Sequence, residues 1–519
     1  MRSPILIEGL QHLSDGNLEQ ARVIFNRIID QNDAESLIAF QYLAYAYSIE
    51  SKYFLAIDTL KKAHEIFDAD YLVLAQLAEI MMKIGDYDQA IAYAKKSLLL
   101  NANNPILRIN LAAWQASRTS DPIEIRNLYE SWCRDYLDPH AKLIQPFTNK
   151  NTDKNKKLKI GYVSGDLKNH AIRYFIEPYL KHHNHQEFEI HAFMTQASDP
   201  ITSVLKKYTD YWHDVQEQSI EELFQLIQSQ DIDVLVDLSG HSEGERLEVF
   251  ARRAAPIQLT WYGFVQTLGM QQMDYRLTDS MNCPDGSDAY YTESLYRLQC
   301  FTAYEPPLSS DDFPLSPWKK NSYVTMISLN HSRKVSDDAL ILWRDVLKNN
   351  PKAKLIIVST ERTQEGANAI FFPRLERLAL PLDRIEIKSK LSMRDFMRLA
   401  FYADFALDST PISGGVTTFH SLWMGLPVLT MQPEKPISLF SYTANILRTL
   451  GLDGCIADNP IHFQKLASNL INQPELIDAL RAESRQRLLA SPYLDHVART
   501  NELELAYRQL WHEYTATVN

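Results

Sequence analysis

The chain has 519 residues, of which 45% are hydrophobic and 23% are charged, and its formal net charge at pH 7 is -12. This length predicts about three domains, and the composition excludes a chain that is mostly disordered, collagen-like or built on disulfides. The acidic balance argues against the broad basic surface of a nucleic-acid-binding protein. We therefore predict a globular protein without a nucleic acid partner.

The cysteines and the apolar runs predict a cytoplasmic protein. The apolar run at 4–7 is too short for the core of a signal peptide. No stretch approaches the roughly 18 apolar residues that a membrane helix needs, so we expect no membrane span. The four cysteines show no CxxC spacing, which predicts free thiols rather than a disulfide or metal role. They are Cys133, Cys283, Cys300 and Cys455.

The first 117 residues contain an internal repeat. A small turn residue recurs every 34 or 35 residues, at Gly16, Ser51 and Gly85. An alanine follows each of them at the same spacing, at Ala21, Ala56 and Ala90. This pattern resembles the tetratricopeptide repeat, and a further helix over 104–115 would be a cap or a degenerate fourth repeat. Such arrays bind peptides or protein surfaces along a concave face, so we assign residues 1–117 to a repeat arm that recruits a protein or peptide.

After the repeat arm the periodicity changes. Residues 118–157 are predicted to form a helical and polar linker, whose solvated stretch at 149–157 would isolate the arm. Strands then alternate with helices, which is typical of parallel βαβ units. The strands are predicted at 158–164, 232–238, 257–261 and 273–277, and, after a proline-containing break, at 324–329, 354–359, 384–388, 404–408 and 427–431. The predicted fold is α plus α/β, with two Rossmann-like domains at 158–305 and 321–519 and an active site in the cleft between them.

One segment of the second α/β domain has the features of a phosphate site. Residues 407–430 read LDSTPISGGVTTFHSLWMGLPVLT. A strand ends near Asp408, Gly414 and Gly415 form a tight turn, and a helix begins near Thr417. The free N–H groups and positive dipole end of that helix would bind an anion, and the threonine hydroxyls would add donors. Taken alone, this turn fits a purely structural strand-turn-helix connection equally well.

The whole segment closely resembles the bacterial-type, SPINDLY-like protein O-GlcNAc transferase family. Further segments at 160–170, 233–241, 250–258 and 273–279 resemble that family in the same order. The resemblance implies a GT-B architecture and a glycosyltransferase that moves a sugar from a nucleotide donor to a Ser or Thr hydroxyl of a protein. It also implies inversion at the sugar and no required metal or other cofactor, so that protein charges and dipoles must stabilise the leaving diphosphate.

The resemblance assigns roles to individual residues. His170 matches the active-site histidine, which could take a proton from the acceptor hydroxyl, and Lys334 takes the position of the lysine that neutralises the diphosphate. Arg246, Arg252 and Arg253 are predicted to be structural ion partners. His241 and Thr267 are placed on the acceptor or sugar side. The predicted donor-binding residues are Asn330, His331, Gly414, Gly415, Val416, Thr417, Thr418 and His420.

Four departures from the family leave the donor open. His420 stands where the family has an Asp that accepts bonds from ribose hydroxyls, and neutral His can accept only one. Ser441 stands where an Arg is expected, and Phe396 where the human-type enzyme has a base-contacting His. The loop at 263–269 lacks the family's Gly-Tyr-Pro and paired Thr. We expect UDP-GlcNAc or another UDP-hexose; the alternatives are GDP-fucose, a CMP-activated acid sugar (for example on flagellin), or a repeat scaffold with little turnover.

Overall fold

The computed structural model describes residues 3–32, 34–67, 70–145, 147, 151–308, 315–435 and 437–518. Parts of the predicted linker and of the proline-containing break lie outside these residues. The repeat arm consists of α1 (Pro4–Ser14), α2 (Leu18–Gln31), α3 (Ser36–Ile49), α4 (Tyr53–Ile66), α5 (Tyr71–Lys83), α6 (Tyr87–Leu100) and α7 (Pro105–Ala116). It is followed by α8 (Pro122–Tyr136) and α9 (Asp138–Ala141).

The first α/β domain contains β1 (Leu158–Ser164), α10 (Arg173–His182), β2 (Phe188–Met194), α11 (Thr202–Leu205), β3 (Tyr211–Asp214), α12 (Ile220–Ser229), β4 (Val234–Asp237), α13 (Leu247–Ala251), β5 (Ile257–Thr260), β6 (Tyr275–Asp279) and β7 (Ser294–Leu298). The second contains α14 (Trp318–Asn321), β8 (Thr325–Ser328), α15 (Asp337–Asn349), β9 (Lys354–Val358), α16 (Gln364–Arg377), β10 (Ile385–Lys388), α17 (Met393–Phe396), β11 (Phe405–Leu407), α18 (Val416–Met424), β12 (Val428–Met431), α19 (Ser438–Thr449), β13 (Ile456–Ala457), α20 (Pro460–Asn472) and α21 (Glu475–Leu489). The last helix is α22 (His496–Val518).

The repeat turns have the backbone that their residues suggest. Gly16 and Gly85 have φ values of 77° and 81°, which glycine adopts without steric strain, and Ser51 has a φ of 59°. The three repeat alanines are completely buried, because a methyl group lets the two helices of a repeat approach closely. The predicted helical repeats are confirmed.

Each α/β domain is built on one parallel sheet. The strand orders are β3-β2-β1-β4-β5-β6-β7 and β10-β9-β8-β11-β12-β13. In both sheets the order reverses beside the first strand, which is the topology of a Rossmann-like domain. The predicted architecture of helical repeats followed by two such domains is therefore confirmed. The sequence analysis did not predict β2, β3, β7 and β13, three of which are edge strands without long apolar runs.

The last helix returns to the first domain. Helix α22 packs on α10, where the His183 imidazole lies 2.9 Å from the Glu504 carboxylate. The hydroxyls of Tyr162 and Tyr507 also hydrogen-bond at 3.0 Å in this buried contact. The sequence-based range 321–519 assigned this helix to the second domain, whereas its packing lies with the first.

The repeat arm is not isolated from the catalytic region. Its apolar residues share one core with the second α/β domain, and helix α4 packs against α16. The Tyr53 hydroxyl donates to the Glu361 carboxylate at 2.8 Å, and the Tyr87 hydroxyl donates to the Arg333 carbonyl at 2.9 Å. The expectation of an isolated arm was wrong, because a polar linker in the sequence does not report contacts made elsewhere. Among the described residues, no helix is both long and apolar enough to cross a bilayer.

Candidate active site

A cavity of about 250 Å³ lies between the two α/β domains, at the carboxyl ends of their strands. The first domain contributes His170, after β1, and Arg276, on β6. The second domain contributes Lys334, after β8, and the Gly414–Gly415 turn, after β11. Ligands of Rossmann-like domains bind outside the carboxyl strand ends, and here two such ends face each other. We call this space the interdomain cavity.

Asp408 shapes the turn in the second domain. One of its carboxylate oxygens accepts from the Gly414 N–H at 2.8 Å and from the Asn330 amide at 3.1 Å. The other accepts from the Thr430 hydroxyl at 2.7 Å. Burial raises the pKa of Asp408, and these hydrogen bonds act in the opposite direction. Sequence reasoning placed Asp408 only at the end of a strand and missed this organising role.

The two glycines of the turn differ in what they require. A Cβ atom on Gly414 would lie 2.6 Å from the Thr418 hydroxyl oxygen, so the close approach demands glycine. A Cβ on Gly415 would meet only the Tyr442 ring at 3.4 Å. Helix α18 begins at Val416, one residue before the predicted start, and within the described chain no side chain caps it. Its first N–H groups are therefore available to an anion at the cavity wall.

The positively charged Lys334 side chain lies at the same turn. Its ammonium donates to the Ser413 carbonyl at 2.8 Å. Burial lowers the pKa of Lys334, and the negative charge of Asp408 opposes that shift. A lysine ammonium beside an uncapped helix N-terminus forms a site suited to a phosphate or diphosphate.

The other residues after β8 and β11 have different environments. The Thr417 hydroxyl donates to the side-chain oxygen of Asn330 at 3.1 Å. The Thr418 hydroxyl is buried and bonds the Thr443 hydroxyl at 2.8 Å, so it packs inside the domain. His331 is exposed, and its ring nitrogen accepts from the Arg333 N–H at 3.2 Å.

His170 faces the cavity from the first domain. Its side chain is 47% exposed, and its Nδ1 atom lies 3.5 Å from the Asp166 carboxylate. Burial raises the pKa of Asp166, while the neighbouring His170 acts to lower it. An imidazole beside a carboxylate on the wall of a cavity can accept a proton and be stabilised as the cation.

His420 does not line the interdomain cavity. Its ring is buried, its Nδ1 atom lies 2.7 Å from the Tyr304 hydroxyl, and Tyr174 packs edge-to-face against it at 4.7 Å. Burial lowers the pKa of His420 to about 3. The Phe396 ring packs nearby, and the Ser441 hydroxyl donates to the Ile437 carbonyl. His420 and Ser441 are thus buried inside the domain, and Phe396 is partly buried.

His241 and Thr267 also lie outside the cavity lining. The His241 Nε2 atom lies 2.7 Å from the Leu268 carbonyl, and its ring stacks on Tyr129 with centroids 5.3 Å apart. The Thr267 hydroxyl donates to Glu293 at 2.7 Å. Both residues support the 263–269 loop, which reaches the cavity through Gly263 and Val265.

The arginines divide into structural and cavity residues. Arg252 pairs with Glu221 and Arg253 pairs with Asp274, both at 2.7 Å, whereas Arg246 donates to backbone carbonyls. Arg276, which sequence reasoning did not single out, is buried and lines the cavity. Its guanidinium donates to the Gln266 carbonyl at 2.7 Å and to the Phe264 carbonyl. The sequence held a signal for Arg276, because it is a charged residue inside the otherwise strand-like segment 273–279.

Two facing Rossmann-like domains with a phosphate-type site at their cleft define a GT-B glycosyltransferase architecture. The sequence pattern of glycosyl transferase family 41 matches residues 122–302 and 320–503. The chain belongs to this family, which confirms the resemblance found in the sequence.

Individual relatives agree with the family assignment. The chain is 30% identical over 397 residues to the probable UDP-N-acetylglucosamine–peptide N-acetylglucosaminyltransferase SPINDLY of Solanum lycopersicum, which covers 75% of this chain and 42% of that protein. It is 26% identical over 412 residues to the probable UDP-N-acetylglucosamine–peptide N-acetylglucosaminyltransferase SEC of Arabidopsis thaliana, with 75% and 42% covered. It thus spans less than half the length of these curated relatives. A solved structure of a mutant Thermobaculum terrenum O-GlcNAc transferase is 27% identical, with all of both chains covered and a TM-score of 0.86.

Proposed function

We propose that the protein is an inverting protein O-glycosyltransferase, which transfers a sugar from a nucleotide-sugar donor to a Ser or Thr hydroxyl. One observation supports this proposal most directly. The Lys334 ammonium and the uncapped N-terminus of α18 meet at one turn, across the cavity from His170. The relatives named for peptide N-acetylglucosaminyl transfer support the same reaction class.

The roles proposed for these residues follow from where negative charge develops during sugar transfer. The acceptor oxygen attacks the anomeric carbon of the donor while the bond from that carbon to the diphosphate oxygen breaks. Attack from the face opposite the leaving group inverts the anomeric configuration. Negative charge grows on the diphosphate, and Lys334 and the first N–H groups of α18 would stabilise it. Metal-free transfer stays a prediction, which activity in excess EDTA would test.

His170 is the group best placed to act on the acceptor. In the neutral form it takes the hydroxyl proton as the new glycosidic bond forms, and the Asp166 carboxylate at 3.5 Å stabilises the resulting imidazolium. The acceptor is a protein or peptide recruited by the repeat arm. The expected cytoplasmic location belongs to the same proposal.

The donor is expected to be UDP-GlcNAc or another UDP-hexose. A thermal-shift screen against UDP, GDP and CMP tests the nucleotide first. A ligand at about 100 times its dissociation constant should stabilise the protein by about 2.7 kcal/mol. Stabilisation by GDP or CMP instead would indicate GDP-fucose or a CMP-activated acid sugar.

A transfer assay then separates enzyme from scaffold. Mass spectrometry of a Ser/Thr-containing protein incubated with UDP-GlcNAc, or with the donor that the screen selects, should show added sugar, and Lys334→Ala should slow its addition by about two to three orders of magnitude. Stabilisation by a nucleotide without transfer to any tested protein would favour the repeat scaffold. Absence of stabilisation by all three nucleotides would contradict the proposal.

A further inference from the structure

The backbone that carries Lys334 is held on both sides by side chains from outside its own turn. We call residues 331–335 the Lys334 turn. Before the lysine, the Tyr87 hydroxyl donates to the Arg333 carbonyl at 2.9 Å. After it, the Arg374 guanidinium donates to the Val335 carbonyl at 2.7 Å. The two carbonyls that bracket Lys334 are thus each fixed by a hydrogen bond.

The two side chains that hold these carbonyls come from different parts of the protein. Arg374 belongs to α16 of the second domain and is also bonded to Asp337 at 2.9 Å. Tyr87 is the first residue of α6 in the repeat arm, 246 positions before Arg333. The arm therefore reaches directly into the segment that presents the predicted leaving-group lysine.

Packing in the arm fixes the Tyr87 side chain, so that its hydroxyl can hold the Arg333 carbonyl. Its side chain is buried in the core that the arm shares with the second domain. Burial raises the pKa of Tyr87, so its hydroxyl remains a neutral donor. The preceding repeat turn also abuts Arg374, since a Cβ on Gly85 would lie 2.8 Å from a guanidinium nitrogen. The repeat turn at Gly85 thus contacts Arg374 and leads directly into Tyr87, so one turn of the arm is next to both side chains that hold the Lys334 turn.

Lys334 needs such support because of its chemistry. Its side chain has four rotatable methylene groups, and electrostatic stabilisation of a leaving group depends on preorganised charge. The ammonium is fixed at its tip by the Ser413 carbonyl at 2.8 Å. With that end defined, the location of the backbone at 331–335 decides whether the charge meets the diphosphate.

We infer that Tyr87 is a positioning residue for Lys334, so that the repeat arm is part of the donor site as well as the expected acceptor-recruiting surface. This inference rests on the proposed function, in which Lys334 stabilises the leaving diphosphate. It predicts that loss of one hydroxyl in the arm lowers turnover without disturbing recognition of the nucleoside.

The test uses Tyr87→Phe in the full chain, which removes the hydroxyl and keeps the ring. Tyr53→Phe is the matched control, because it removes an arm-to-domain hydrogen bond to Glu361. We expect Tyr87→Phe to lower kcat about tenfold with little change in the KM of the protein acceptor. It should weaken binding of the nucleoside diphosphate that stabilises the wild type about threefold and leave binding of the matching nucleoside unchanged. Tyr53→Phe should keep kcat within about twofold of wild type.

Two further measurements isolate the mechanism. In a Lys334→Ala background, Tyr87→Phe should have no additional effect on kcat, because the two residues act through one contact. Hydrogen exchange of the unliganded protein should become faster at 331–335 in Tyr87→Phe and remain as in wild type in Tyr53→Phe. An equal loss of kcat in both backgrounds, or unchanged exchange at 331–335, would overturn the inference. If the exchange changes but the wild type binds no nucleotide, the proposed function fails while the structural coupling stands.

Discussion

Asn330 and Asp408 are joined by a hydrogen bond of 3.1 Å that ties together the ends of β8 and β11. These strands are neighbours at the point where the order of the second sheet reverses. Ligands of such sheets bind at this crevice. The Asp408 carboxylate also accepts from the Gly414 N–H, so this buried side chain helps to fix the proposed phosphate turn.

Asp408→Asn should therefore impair both folding and nucleotide binding. Asparagine offers one acceptor oxygen where the carboxylate accepts on both, from Gly414 on one side and Thr430 on the other. An unsatisfied buried group costs about 1–3 kcal/mol. Urea unfolding should show a loss of that size, and calorimetry should show weaker nucleotide binding. Asp458→Asn, at an exposed carboxylate, is the control; equal effects in the two variants would contradict the assignment.

Lys334→Ala should lower turnover by about two to three orders of magnitude, as expected when a preorganised electrostatic contact is removed. The free energy of unfolding should change by no more than about 1 kcal/mol, because a single hydrogen bond to Ser413 is lost and the burial that lowers the lysine pKa is relieved. Steady-state kinetics with donor and protein acceptor measure the turnover. Lys348→Ala changes an exposed lysine and serves as the control. More than half of the wild-type turnover in Lys334→Ala would rule out its role.

The strand-turn-helix at 407–430 could be predicted from the sequence because its signals are local. A strand, a glycine pair and a helix follow one another in the chain, and the structure moves the helix start by only one residue. The contact of Tyr87 with Arg333 could not be predicted in this way, because 246 positions separate the two residues. The burial of the His420 ring could not be predicted for another reason: its place in a motif gives the helix on which it lies but not the direction in which its ring points.

His420→Asp should destabilise the protein rather than tighten nucleotide binding. The sequence left open whether an aspartate here would approach ribose hydroxyls, but the ring is buried between Tyr304 and Tyr174. A carboxylate in that place loses its hydration, with a penalty of several kcal/mol when ionised. We expect a lower melting temperature and an unchanged dissociation constant for the folded fraction. His420→Gln, which remains neutral, should fold better; tighter UDP binding by the aspartate variant would contradict this placement.

Buried histidines should make the stability of the protein depend on pH. Burial lowers the pKa of His241 to about 4, whereas a histidine in the unfolded chain has a pKa of about 6.5. The unfolded state therefore binds the proton first as the pH falls, so the stabilising contribution is complete above pH 6.5 and is lost progressively toward pH 4. The difference in melting temperature between wild type and His241→Gln should shrink over this window. A difference that stays constant would mean that His241 does not titrate in this way.

Deleting the repeat arm should damage the second domain as well as acceptor recruitment. An arm isolated by a polar linker, as the sequence analysis expected, would leave nucleotide binding largely intact when residues up to about 121 are removed. The structure instead joins the arm to the second domain through a shared apolar core and through Tyr53 and Tyr87. Truncation would expose this apolar surface to water, at about 25 cal/mol for each Å² uncovered. We expect the truncated protein to melt at a lower temperature and to bind nucleotide more weakly. A truncated protein with wild-type melting temperature and nucleotide affinity would show that the arm acts on the acceptor alone.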